Sequence, residues 1–213
     1  MNLTPNSRLL FIGDSITDAD RARPYGELGD ALGRGYVSLV ATHLGSVFPA
    51  SRIRITNVGT SGNTVRDLKA RWNEDVFALK PDYVSVMIGI NDVWRHFDRP
   101  ILKEGLVGIE EYEQTLDELV RITVPTVSRM IVMSPFFIES NCHDAMRIRM
   151  DEYGAVAKRI AEAHKTVFVD TQAAFDAVLA HCYSAELAWD RIHPSLTGHN
   201  IIARAFLKAI DAL

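Results

Sequence analysis

Five apolar runs of strand length, separated by stretches with helical spacing, constrain the fold of this chain more than any other feature. The runs are Leu9 to Ile12, Ile53 to Val58, Tyr83 to Ile88, Met130 to Met133 and Val167 to Val169. Strands that alternate with helices call for a parallel sheet covered on both faces, because each right-handed crossover has to pack back onto the sheet. The expected architecture is an α/β protein, a three-layer α/β/α sandwich around a five-stranded parallel sheet.

The intervening helices show in their apolar spacing. One stripe is Val65, Leu68, Trp72 and Val76; a second is Tyr112, Leu116, Leu119 and Thr123; a third is Met146, Met150, Tyr153, Ala157 and Ile160. A last helix is expected over Leu196 to Ala212, with Ile201, Ile202, Ala205, Phe206 and Ala209 facing inward. These stripes read as core positions. No repeat, low-complexity tract or linker interrupts the pattern, so residues 1–213 are expected to form one domain.

Composition excludes some partners. Hydrophobic residues make up 47% and charged residues 23%, the balance of an ordinary globular protein. A formal net charge of −4 gives no global field to attract nucleic acid or an anionic membrane. The first residues lack the basic start and apolar run of a secretory signal, and nothing approaches the roughly 18 consecutive apolar residues of a membrane span. A cytoplasmic location is expected. Cys142 and Cys182 lack metal-ligand spacing and read as reduced structural thiols.

The chemistry sits at the ends of the strand-like runs. Leu9 to Thr17 is a strand entering a sharp turn that carries Ser15. A serine hydroxyl attacks carbonyls poorly unless a base takes its proton, a third group orients that base, and fixed donors stabilise the oxyanion. Asp190 and His193 stand three residues apart before Pro194 and the last helix, a spacing that lets a carboxylate hold the imidazole Nδ1–H while Nε2 faces the serine. The side-chain amide of Asn91 can donate to an oxyanion, and Gly89 permits a close backbone approach. With the N–H groups of Ser15 and Gly62, three donors are available. Gly59 competes with Gly62 for that role or else supplies the turn.

Each piece also has a bland meaning when taken alone. Gly13-Asp14-Ser15 suits a helix N-cap, Asn91-Asp92 suits a turn, and Asp190-x-x-His193 is a short pattern that chance supplies. The loop from Asp18 to Gly35 holds Pro24 and four glycines, is long for a βα connection, and is expected to shape the pocket. Trp94 and Arg95 are candidate substrate contacts, a sugar platform and a polar partner, although Trp94 also suits packing. Arg66, Lys69 and Arg71 read as the solvated face of a helix. His199 reads as a capping or packing residue, and Tyr183 and Trp189 as subunit-interface candidates.

Four such blocks in order, Gly13-Asp14-Ser15, Ser61-Gly62-Asn63, Gly89-Ile90-Asn91-Asp92 and Asp190-Arg191-Ile192-His193, resemble the SGNH (GDSL-type) hydrolase superfamily over the whole chain. The resemblance implies the flavodoxin-like SGNH hydrolase fold. Arg21 to Pro24, Ser61 to Trp72, Ile88 to Arg95 and Asp170 to Phe175 look like the bacterial intracellular acetyl-xylooligosaccharide (acetylxylan) esterases of that superfamily. This likeness implies a serine esterase that deacetylates short acetylated xylo-oligosaccharides through an acetyl-enzyme. Ser15, Asp190 and His193 would be its catalytic residues, with an oxyanion hole from Ser15, Gly62 and Asn91. No metal or cofactor is needed, the partner is a small acetylated saccharide, and a homo-oligomer is implied. The rivals are a lysophospholipase or thioesterase on longer acyl esters, a metallophosphoesterase using Asp14, Asp92, His193 and His199, and a non-enzymatic sugar-binding or scaffolding module.

Overall fold

The computed structural model describes residues 2–213. Its strands are β1 (Arg8–Gly13), β2 (Arg54–Asn57), β3 (Tyr83–Met87), β4 (Arg129–Met133) and β5 (Val167–Val169), each within a residue of the apolar run that announces it. They form one sheet in the order β2-β1-β3-β4-β5, with every pairing parallel. Leu9, Leu10, Phe11 and Ile12 of β1 have no exposed surface, as a strand covered on both faces requires.

Helices connect the strands: α1 (Ser15–Asp18), α2 (Tyr36–Val47), α3 (Val65–Trp72), α4 (Ile90–Asp98), α5 (Ile109–Thr123), α6 (Ala145–Ala163), α7 (Thr171–Leu179), α8 (Ser184–Leu187) and α9 (Leu196–Ala209). α2, α7 and α9 pack together as one group, and α3, α5 and α6 as another. The three expected stripes on α3, α5 and α6 are buried, with Val76 carried one π-turn beyond α3. The last helix differs from expectation. It stops at Ala209 rather than Ala212, and its buried face is Gly198, His199, Ile202, Ala203, Phe206 and Leu207, so Ile201, Ala205 and Ala209 lie on the flank.

This strand order reverses direction between β1 and β3, and that reversal opens a crevice at their carboxyl ends. Gly13 permits the close approach there: a Cβ on it would collide with the Met87 carbonyl oxygen at the end of β3. Below the crevice Phe11 packs edge-on to Tyr36 at 5.7 Å and against Phe206 at 4.9 Å, joining the sheet to α2 and α9. Phe11→Ala is expected to cost about 3–5 kcal/mol of stability. Urea unfolding followed by circular dichroism measures it; a loss below about 1 kcal/mol would show that the site collapses around the cavity.

Candidate active site

The serine turn is built by capping. Asp14 is the N-cap of α1, accepting the Ile16 N–H at 3.0 Å, and this sets Ser15 at the first helical position with its side chain over the sheet edge. The N-cap meaning of the tripeptide is therefore real and coexists with the position of Ser15. The Ser15 hydroxyl lies 3.0 Å from His193 Nε2, and His193 Nδ1 lies 2.6 Å from Asp190 Oδ2.

The base is oriented by its own loop. Asp190 Oδ1 accepts the N–H groups of Ile192 at 2.9 Å and His193 at 2.8 Å, leaving Oδ2 for the imidazole. Burial raises the Asp190 carboxyl, but the hydrogen bonds from the ring and the N–H of His193 and from Ile192 outweigh it and hold the group below the usual carboxylate range. The loop is tied down from outside: the Ile138 N–H donates to the Arg191 carbonyl at 2.9 Å, and Arg191 pairs with Glu139 at 2.6 Å.

Three candidate donors follow the ends of β1, β2 and β3. The N–H groups of Ser15 and Gly62 have no hydrogen-bond acceptor among the described residues. Gly62 has φ +83, a left-handed conformation that suits glycine, and lies in the open. Gly59, the competing candidate, is excluded as a donor: its N–H is spent on Asn57 Oδ1 at 2.9 Å, and it serves the turn instead, since a Cβ there would collide with the backbone of Thr17 and Asp18. Asn91 lies in the first turn of α4 rather than in a free turn; its Nδ2 donates to the Asn63 carbonyl at 2.9 Å, which leaves one N–H over. Gly89 does provide the close approach, since a Cβ there would stand 2.9 Å from Pro135 Cγ.

Several residues that hold these parts show no sign of that role in the sequence, although Arg21 and Arg71 fall within blocks that carry the resemblance. Arg71 is the main correction. Instead of sharing a solvated face with Arg66 and Lys69, which pair with Glu111 and Glu118, it turns inward and is largely buried. It donates to the carbonyls of Gly13 at 3.0 Å and Val58 at 2.8 Å and to Asn63 Oδ1 at 2.7 Å, with Asp75 as its counter-ion. Asp18 Oδ2 accepts from both the N–H and the hydroxyl of Ser61 at 3.1 Å and pairs with Arg23. Arg21 donates to the Gly59 carbonyl at 2.6 Å.

The expected pocket residues separate. An open cleft of about 400 Å³ contains Ser15, Ser61, His193 and Leu196, with Ala19, Asp20 and Arg34 supplied by the Asp18–Gly35 loop. A larger hollow of about 470 Å³ beside β2 contains none of the site residues. Trp94 stands edge-on to His193 at 6.0 Å, while the Arg95 guanidinium lies 4.6 Å over the Trp94 ring and donates to Asn91 Oδ1 at 3.0 Å. His199 is a capping residue, its Nδ1 accepting the first N–H of α2 from Tyr36 at 3.2 Å. Burial, and then the nearby His193, push its pKa down to about 4, which keeps the accepting nitrogen free. Tyr183 and Trp189 are strongly exposed. No group of three His, Cys, Asp or Glu side chains is placed to hold a metal ion among the described residues.

Known proteins resemble this chain in sequence and in fold. The model of the GDSL-like lipase/acylhydrolase family matches residues 11–201. The chain is 59% identical over 211 residues to an acetylxylan esterase of Geobacillus stearothermophilus, covering 99% of this chain and 96% of that one. The crystal structure of Axe2, an acetylxylan esterase from that organism, matches with a TM-score of 0.97 and 59% identity over 99% of this chain and 96% of that one. Catalytic mutants of Axe2 include replacements of a serine, a histidine and an aspartate by alanine. LAE5, an alpha/beta hydrolase enzyme from the metagenome of Lake Arreo in Spain, matches with a TM-score of 0.98 and 56% identity over 100% of this chain and 99% of that one.

Next to Asn91 in the chain lies a second buried carboxyl. Asp92 is wholly enclosed; one oxygen accepts the Val65 N–H at 3.0 Å and the other has no partner. Burial pushes its pKa up to about 7, and does the same to Asp14. In the unfolded chain an aspartate titrates near 3.9, so between about pH 4 and pH 7 the native state holds the extra proton and stability from Asp92 falls as the pH rises. The stability of the wild type relative to Asp92→Asn is therefore expected to drop by about 2–3 kcal/mol between pH 5 and pH 8. Parallel urea midpoints at the two pH values would show that Asp92 is charged throughout.

Proposed function

The chain belongs to the GDSL-like lipase/acylhydrolase family, and from that premise we propose a serine esterase that removes acetyl groups from short acetylated xylo-oligosaccharides. The observation that carries the reading is the hydrogen-bonded series Ser15 Oγ, His193 Nε2, His193 Nδ1 and Asp190 Oδ2. The acetylxylan esterase it resembles supports the choice of substrate.

Catalysis starts as Ser15 Oγ attacks the acetyl carbonyl while His193 Nε2 takes the hydroxyl proton and Asp190 stabilises the imidazolium. The carbonyl oxygen becomes an oxyanion facing the N–H groups of Ser15 and Gly62 and the free N–H of Asn91. The tetrahedral species collapses as the C–O bond to the sugar breaks, and His193 gives its proton to the departing sugar oxygen. Water, deprotonated by the same imidazole, then attacks the acetyl-enzyme and releases acetate. The sugar sits beside Trp94, the aromatic surface nearest His193.

We also propose a homo-oligomer, supported by Tyr183, Trp189 and Leu196, which are 74%, 86% and 66% exposed near the catalytic loop. A cytoplasmic location completes the reading, and two free cysteines suit it. Light scattering on the purified protein tests the oligomer: Trp189→Ala is expected to reduce the mass, and a monomeric wild type overturns it.

For the chemistry, Ser15→Ala and His193→Ala are expected to abolish acetate release with the fold retained, and Asn91→Ala to lower kcat by on the order of 10²-fold. Full activity in Ser15→Ala overturns the mechanism. Acetylated xylo-oligosaccharides are expected to outperform other acetylated sugars, and p-nitrophenyl acetate to outperform the octanoate. Preference for the octanoate would instead favour the lysophospholipase or thioesterase class.

A further inference from the structure

Asn91 is useful as an oxyanion donor only if its amide faces the right way. A side-chain amide is nearly symmetric in shape, and rotating it by half a turn exchanges a donor for an acceptor. The flipped Asn91 would aim its carbonyl oxygen, a repulsive partner, at the oxyanion.

Two contacts decide the orientation. Arg95 Nη2 donates to Asn91 Oδ1 at 3.0 Å, and Asn91 Nδ2 donates to the Asn63 carbonyl at 2.9 Å. Flipping the amide would set its NH₂ against a guanidinium and its oxygen against a carbonyl, losing both bonds and replacing them with like-pole contacts. With the oxygen and one N–H fixed, planarity fixes the direction of the remaining N–H.

Arg95 is itself held. Asn91 and Arg95 are four residues apart on α4, so their side chains share a face. The guanidinium pairs with Asp98 one turn further on and lies 4.6 Å over the Trp94 ring, leaving 19% of the side chain exposed. Both of its terminal nitrogens are thus engaged within α4 itself.

We propose that Arg95 is a positioning residue that locks the Asn91 amide with its free N–H toward the oxyanion, rather than a contact for the saccharide. The inference rests on Asn91 being an oxyanion donor in the proposed esterase mechanism.

Steady-state kinetics on p-nitrophenyl acetate, which carries no sugar, and on acetylated xylo-oligosaccharides test it. Arg95→Met keeps the aliphatic stem and removes the donor; it is expected to lower kcat by on the order of 10-fold on both substrates, with KM within about twofold. Arg95→Lys is expected to recover part of the loss. In an Asn91→Ala background, Arg95→Met is expected to add less than about twofold, because the group it positions is gone. A raised KM confined to the oligosaccharides, or losses that multiply fully in the Asn91→Ala background, overturns the proposal. An Asn91→Ala enzyme with wild-type kcat overturns the underlying oxyanion assignment, a result distinguishable from either of those.

Discussion

The guanidinium of Arg71 is the interaction on which the rest of the site depends. Parallel strands deliver their carboxyl ends to one edge, but they leave the last carbonyl groups of each strand without ladder partners. Arg71 helps meet that need at two strands together, joining the Thr60 N–H on the carbonyl of Gly13, the last residue of the serine strand, and taking that of Val58 just beyond its neighbour. The same cation holds Asn63 beside Gly62. A neutral side chain would satisfy fewer acceptors, and lysine would lack the planar fork that reaches three groups in different directions. The serine turn and the glycine loop thus share one anchor, while Asp18 and Arg21 fix the glycine loop from the other side.

The charges around this edge are arranged so that few of them compete with the reaction. Asp14 and Asp92, both enclosed, are pushed toward the neutral form by burial, so neither adds a full negative charge beside Ser15 and Asn91, the donors of the proposed oxyanion hole. His199 is held neutral in the same cleft as His193, which leaves His193 as the imidazole facing Ser15. Asp190 differs because three hydrogen bonds from its own loop compensate its burial and keep it ionised. Shallower burial and local hydrogen bonding together separate Asp190, the carboxylate paired with His193, from the two enclosed ones that accept helix N–H groups.

Elements that depend on side-chain pattern were legible in the sequence, and elements that depend on reach were not. The central strands stand out because each is an apolar run buried on both faces, the edge strands β2 and β5 are shorter and partly exposed but still carry buried apolar residues, and the long stripes of α5 and α6 repeat often enough to reveal their period. Helix α4 is hidden: Gly89-Ile90-Asn91-Asp92 has the composition of a turn, and only the chain beyond it shows a helix. Ser15, Gly62, Asn91, Asp190 and His193 could be picked out because their residue types are demanding and each follows a strand or precedes a helix. Arg71, Asp18 and Arg21 escape for a physical reason. They act on backbone carbonyls and N–H groups, which every residue carries, so no partner residue marks them in the sequence. On α9 the expected Ile202 and Phe206 do face inward, but the centre of the buried face is shifted toward Gly198, His199, Ala203 and Leu207, because small and polar residues give little apolar signal to place it.

The base arrives by a different route from the other parts, and this has consequences for how the site tolerates change. Two helices, α7 and α8, separate the last strand from the Asp190–His193 loop, so the loop cannot inherit its position from the sheet edge as Ser15 does. Its geometry is instead internal: one Asp190 oxygen caps its own turn and the other holds the imidazole, so carboxylate and ring move as a unit. Errors in placing that unit fall on a single joint, the hydrogen bond between His193 and Ser15, with the edge of Trp94 beside it. The Ile138 to Arg191 backbone bond and the Arg191–Glu139 pair brace the loop against the segment following β4, which neighbours β3 in the sheet. The base is thereby referred back to the same sheet that carries the proposed oxyanion donors, through β4 beside β3, and the two halves of the site keep register without sharing a helix.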